Sequence, residues 1–195
     1  MNNNWLSDLK INLPLFLKDL RKHNGFTFYP VKKGLTKHGE DVELGMSCYA
    51  IKIFYITNQW TNLEKKEQVD WVNFINSFQS TDKNFPQNSY IDQAYLKEMK
   101  KFSPIKFLKD FVKRILNKYV KSNYTLLDEF LQNSIKAESK QAISSIYQVG
   151  YKNKKIYSEF PKDKKEINDY LSNLNWAFPW DAGAQFSNLC FFVQT

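Results

Sequence analysis

The chain has 195 residues, a net charge of +8, 43% apolar residues and 25% charged residues. That length supports one ordinary domain with a hydrophobic core, and that composition excludes a disordered or collagen-like chain. No segment supplies the roughly 20 consecutive apolar residues of a membrane-spanning helix, and the polar start Met1-Asn2-Asn3-Asn4, followed by Asp8 and Lys10, lacks the form of a signal peptide.

Leu13, Phe16, Leu17 and Leu20 recur at helical spacing, which predicts a helix with Pro14 in its first turn, ended by Asn24-Gly25. Residues 25–40, rich in glycine and interrupted by Pro30, read as a long loop. A second helix is expected from Asp41 to about Asn58. Its residues from Met46 to Ile56 are apolar nearly all round, which marks a central buried helix. A strand over Tyr49–Ile56 is the rival reading, weakened by the lack of a partner strand nearby. Thr61-Asn62-Leu63-Glu64 has the form of a capping box, leading into a stripe of Val69, Val72, Ile75 and Phe78.

Residues 80–90, with Pro86, read as a loop, and a short helix follows from Asp92 to Lys101. Ser103-Pro104 is a strong start signal for the next helix. Leu108, Phe111, Val112, Ile115 and Tyr119 form one face of it, and Lys106, Lys109, Lys113, Arg114 and Lys118 fall largely on the other. Thr125 to Asp128 resembles another cap, and a separate helix is expected from Ile135 to Val149, stopping at Gly150. A linker over 151–162 precedes a helix opened by Asp163, with Ile167, Tyr170, Leu171 and Leu174 on one side. Asp181 is expected to cap a last apolar helix through Phe186, Leu189 and Cys190. The result is an all-α domain over 1–195, built from antiparallel helix pairs. Cys48 and Cys190 both lie in apolar runs and read as reduced core residues of a cytoplasmic protein.

Charge is concentrated. Residues 97–121 hold nine Lys or Arg against Glu98 and Asp110, a net of +7. The basic helix there is either a solvated outer face or a contact for an anionic membrane surface; nucleic acid is not favoured, because no base-reading motif accompanies it. Two histidines, His23 and His38, and two cysteines without ligand spacing predict no metal site. The absence of a glycine-rich phosphate loop and of a nucleophile turn predicts no cofactor.

The segment Asn175 to Gln185 is the most distinctive. Trp176 and Trp180 flank Pro179, and Asp181 with three small residues follows. One reading makes Trp176, Trp180, Asp181 and Gln185 the wall of a pocket for a glycan-like or isoprenoid-like small molecule. The other makes them a packed helix start. His38 and Tyr90 are weaker ligand candidates. Glu43, Asp92 and Asp181 are the weak acid–base candidates, provided that helix starts bring them together.

The stretches ELGMSCYAIKIFYITNQW, VDWVNFINSFQS, NSYIDQAYL and NWAFPWDAGAQFSNLCFF resemble helix pairs of α/α-toroid proteins. That group includes terpenoid cyclases, prenyltransferases and the helical domains of some polysaccharide lyases. The resemblance implies a ring of helix pairs. It carries over no catalytic residue, because the D-x-D-D acids and the zinc ligand set of those enzymes are missing. A closed ring of twelve helices needs roughly 250–350 residues, so a partial ring or irregular bundle is expected, with a partner subunit covering its open side. Three functions follow as expectations: a ligand binder, an interaction module using the basic helix, or a catalytically inactive fragment docked on a partner.

Overall fold

The structure, a computed structural model, describes residues 4–23, 25–159 and 161–194, with the backbone alone at 4, 181 and 191–194. Among the described residues the chain forms α1 (Asn4–Leu20), α2 (Lys37–Asp41), α3 (Leu44–Ile56), α4 (Lys65–Asn76), α5 (Gln93–Lys100), α6 (Pro104–Tyr119), α7 (Leu127–Gln148), α8 (Lys164–Ser172) and α9 (Pro179–Gln194). No strand occurs among them, only isolated bridges between Arg21 and Phe28 and between Gln79 and Tyr90. The all-α expectation is met, and the rival strand over Tyr49–Ile56 is not formed.

Local chemistry sets many of these boundaries. Asp92, Ser103 and Asp163 each accept a backbone N–H of the helix they precede. At the end of α7, Gly150 takes φ +82°, Gly150 N–H donates to Tyr147 O, and Tyr151 N–H donates to Ile146 O. This pair of bonds satisfies carbonyls that the helix end would leave open. Asn58, at φ 61°, does the same for α3, with Gln59 N–H reaching Phe54 O at 2.7 Å.

The core centres on α3 against α7. Leu44, Cys48 and Ile51 of α3 are buried with Ala142, Ile143 and Ile146 of α7. Each large aliphatic residue so buried contributes about 1.5–3 kcal/mol. Serines at 139, 144 and 145 are buried along α7, and their small size lets the helices approach. Ser145 Oγ donates to Gln141 O within α7 at 2.7 Å and lies 3.4 Å from Cys48 O across the interface. Trp71 of α4 is the hub of an aromatic cluster with Phe26, Phe28, Phe54 and Trp60. Its indole N–H donates to Ser47 Oγ at 2.8 Å, so the one polar atom of a fully buried ring is satisfied. A second, smaller cluster joins Phe85, Ile91, Leu96 and Ile135. The segment after α7 is fastened back onto α4 by side-chain amides. Asn76 Oδ1 accepts from Lys154 N–H at 3.1 Å, and Gln79 Oε1 accepts from Lys155 N–H at 2.9 Å.

Several boundaries differ from the sequence reading. Pro14 lies inside α1, which begins ten residues earlier at Asn4. The Thr61–Glu64 box does not cap: Trp60–Asn62 forms a 3-10 turn, and α4 starts only at Lys65. The helices expected near 125 and from 135 are one continuous α7 of 22 residues, because nothing between them breaks the backbone pattern. Asp181 lies inside α9, not at its cap. The region 25–40 also holds the start of short α2, capped by Thr36. α3 is central but not buried all round, since Tyr49, Tyr55 and Ile56 face outward. Cys48 is buried and free, whereas Cys190 is free and exposed, outside the core.

α6 is unlike the other long helices. None of its residues is buried. Its polar side is the one tied to the protein. Asp110 accepts Leu127 N–H at 2.7 Å, capping α7 from outside. Lys113 donates to Thr125 O, and Asn117 exchanges bonds with both backbone groups of Tyr124. The apolar side faces away.

Candidate functional site

Three of the concave regions among the described residues lie beside these elements. The first, of about 500 Å³, is polar and is lined by Asp41, Glu43, Gln79, Ser80 and Asp92. Two of the weak acid–base candidates, Glu43 and Asp92, therefore do share one cleft. Asp92, however, is only 2% exposed. One carboxylate oxygen accepts Glu43 N–H at 2.7 Å and Leu44 N–H at 3.0 Å. The other accepts Ala94 N–H at 3.0 Å and Tyr95 N–H at 3.4 Å. One buried carboxylate thus caps α3 and α5 together, and its accepting positions are occupied by backbone. The side chain of Asp181 lies outside the described residues.

Glu138 of α7 packs against this cap. Its Oε2 lies 3.5 Å from Asp92 N. Burial first, and the Asp92 charge second, push the Glu138 carboxyl up to about 8. The two neighbouring acids thus have opposed environments, one bound by four N–H groups and the other desolvated. No metal-holding group of three His, Cys, Asp or Glu occurs among the described residues.

The second region, of about 350 Å³, lies between α7, α8 and α9. Amides from Asn133, Gln185 and Asn188 line it, together with Lys136, Lys140, Tyr170 and the ring of Phe130. α7 supplies Asn133 and Lys140 at seven-residue spacing, which is one face of a helix. α9 supplies Gln185 and Asn188 three apart, likewise on one face. Tyr170 of α8 donates its hydroxyl to Gln185 O at 3.0 Å and so ties α8 to α9. Lys140 Nζ donates to Ser187 Oγ at 3.1 Å. Burial, and then the positive charge of Lys52, lower the Lys140 ammonium below the usual lysine range. Lys136 pairs with Glu159 at 3.0 Å. No Asp or Glu lines this cleft among the described side chains.

The third region, of about 290 Å³, lies between α6 and the start of α7, with Lys106, Lys109 and Lys113 above Leu126, Leu127 and Phe130. Thr125 and Phe130 belong to both this cleft and the second one.

Of the described side chains of the predicted ligand wall, Gln185 lines the second cleft. Trp180 is 93% exposed and Trp176 is 56% exposed, and neither ring lines any of the three regions. Trp176 Nε1 donates to Leu171 O at 3.1 Å, which holds the ring at the end of α8. Tyr90 is fully buried, and its hydroxyl donates to Asn76 Oδ1 at 2.6 Å, so it stands in the core and not at a wall. His38 Nε2 lies 3.2 Å from Glu98 Oε2, linking α2 to α5 on the surface. Arg114 bridges Asp110 and Asp128, and Lys118 lies over the Tyr119 ring. The sequence reading missed Asn133, Lys140, Tyr170 and Asn188. A signal for two of them existed: Asn133 and Lys140 fall on one face once α7 is read as a single helix.

Fold and clefts together define an all-α protein with a ligand-sized, amide-lined groove. Comparison with family models, with curated sequences and with solved structures finds no match to this chain.

Proposed function

We propose that the cleft between α7, α8 and α9 binds an acidic, hydroxyl-rich ligand of the carbohydrate class, such as a uronate-containing oligosaccharide. The supporting observation is the lining itself: three side-chain amides, Lys140 and two aromatic rings around about 350 Å³. Amides present donors and acceptors in pairs, which match vicinal hydroxyls. Tyr and Phe offer apolar faces for the C–H side of a sugar ring. Lys140 supplies the countercharge for a carboxylate. The amides and the lysine of the lining favour a glycan over an isoprenoid, and the volume falls at the low end for ligand sites, suited to one or two sugar rings. Kinship with the α/α-toroid group, whose members include polysaccharide lyases, would suit this ligand class, but the reading needs only α7, α8 and α9.

Calorimetric titration with an oligogalacturonide and with a neutral oligosaccharide of equal length tests the reading. The acidic sugar should bind and the neutral one should bind more weakly. Lys140→Met and Gln185→Ala should each weaken acidic-sugar binding by about tenfold or more, the value of a charge-assisted or paired hydrogen bond. Absence of binding, or binding indifferent to both substitutions, would overturn it.

A further inference from the structure

α6 is an amphipathic helix mounted with its faces reversed. Ile105, Leu108, Phe111, Val112, Ile115 and Tyr119 recur at spacings of three and four, so they share one stripe. All six are exposed, Ile105 at 67% and Tyr119 at 72%. The opposite side carries Asp110, Lys113 and Asn117, and these are the residues hydrogen-bonded to the segment 124–127. The helix is therefore held in place by its polar side while its apolar side is presented outward. Lys109 borders one edge of the apolar stripe and Lys118 the other, seen down the helix axis. Neither forms an ion pair among the described residues.

We infer that α6 docks on the surface of an anionic phospholipid bilayer, lying in the plane of the interface. The inference is independent of the glycan cleft. A helix of 16 residues spans about 24 Å, enough to lay four turns of apolar side chains at the boundary between headgroups and acyl chains. Lysines at the two edges then lie at the depth of the lipid phosphates, with their stems along the apolar stripe. Charge complementarity selects the occupant. Residues 97–121 carry a net +7, so a second copy of this helix would bring like charges together, whereas an anionic surface is attracted. No helix among the described residues is long and apolar enough to cross a membrane, so the contact is made from one side.

The test is co-sedimentation of the full chain with vesicles of phosphatidylcholine alone and of phosphatidylcholine mixed with phosphatidylserine, at rising salt. Binding is expected to the mixed vesicles and not to the neutral ones, and to weaken as salt shortens the screening length. The double variant Phe111→Glu with Ile115→Glu should lose binding by about tenfold or more, since two inserted side chains are lost. Circular dichroism should show its helicity intact, because neither side chain is buried. Lys109→Glu with Lys118→Glu should also lower binding. No binding to the mixed vesicles at low salt would overturn the inference, as would binding unchanged in the Phe111/Ile115 variant. A wild-type dimer in solution that Phe111→Glu converts to monomer would overturn it too, by showing that a second copy covers the stripe.

Discussion

Glu138 makes stability depend on pH in a direction that can be worked out in advance. Its carboxyl is pushed up to about 8 from an ordinary value of 4.5, by burial first and by the Asp92 charge second. In the unfolded chain it loses its proton near the ordinary value; in the folded chain it keeps the proton until about pH 8. Between those limits the folded state binds more protons, so stability falls as pH rises, and it levels off once both states are ionised. The interval is worth at most about 1.4 kcal/mol per pH unit. Partial exposure of the side chain reduces that, leaving a penalty on the order of a few kcal/mol at alkaline pH. Glu138→Gln keeps the shape and an acceptor for Asp92 N–H but has no proton to lose. Urea unfolding of both proteins from about pH 5 to about pH 9 isolates the effect, because other titrating groups cancel in the difference. The variant should match the wild type near pH 5 and gain progressively up to pH 8 to 9. A difference that stays constant with pH, or that grows toward acid, would refute the assignment of a desolvated, protonated Glu138.

Asp92→Ala removes the acceptor for four backbone N–H groups at two helix starts. It should cost about 3 kcal/mol or more, and Asp92→Asn roughly half of that; a loss under about 0.5 kcal/mol in urea unfolding would show that the cap is dispensable. Asp92→Asn should also shrink the pH dependence attributed to Glu138, because the second cause of its shift is gone. Cys48 is fully buried and its thiol is pushed up to about 12 by burial, whereas Cys190 is exposed. A thiol reagent near neutral pH should therefore modify Cys190 in the native protein and Cys48 only on unfolding. Equal native rates would contradict the placement of α3.

The parts of the fold that were legible in the sequence are those fixed by neighbours in the chain. Ser103 and Asp163 cap because a side-chain oxygen three residues back from an N–H is a local arrangement. Gly150 ends α7 because its positive φ is available to glycine at little cost. The misreadings are places where a distant group decided. Thr125 does not cap α7, because Asp110 reaches across from α6 and takes the Leu127 N–H instead. Thr61 does not cap α4, because Asn58 ends α3 in a left-handed conformation and the chain needs a 3-10 turn before the next helix. Pro14 fits both the first turn of a helix and, on a partly exposed face, its interior, so one proline could not place the start of α1.

The candidate cleft was harder to read for a related reason. Aromatic side chains announce themselves in a sequence, and Trp176 and Trp180 were the obvious choice for a wall. Their direction depends on where α8 ends, and the Leu171 carbonyl holds the Trp176 indole at that end, away from the clefts. Amides on helix faces announce nothing, yet Asn133, Gln185 and Asn188 meet because α7 continues unbroken past residue 134 and α9 packs along it. The same limit applies to α6. Its spacing reveals two faces, but hydrophobic periodicity alone would turn the apolar one inward. What reverses it is Asp110 and Asn117 on the polar side, which bind specific backbone groups of the segment leading into α7. Removing those two side chains, and not the exposed apolar ones, is therefore the change that should release α6 from the rest of the molecule.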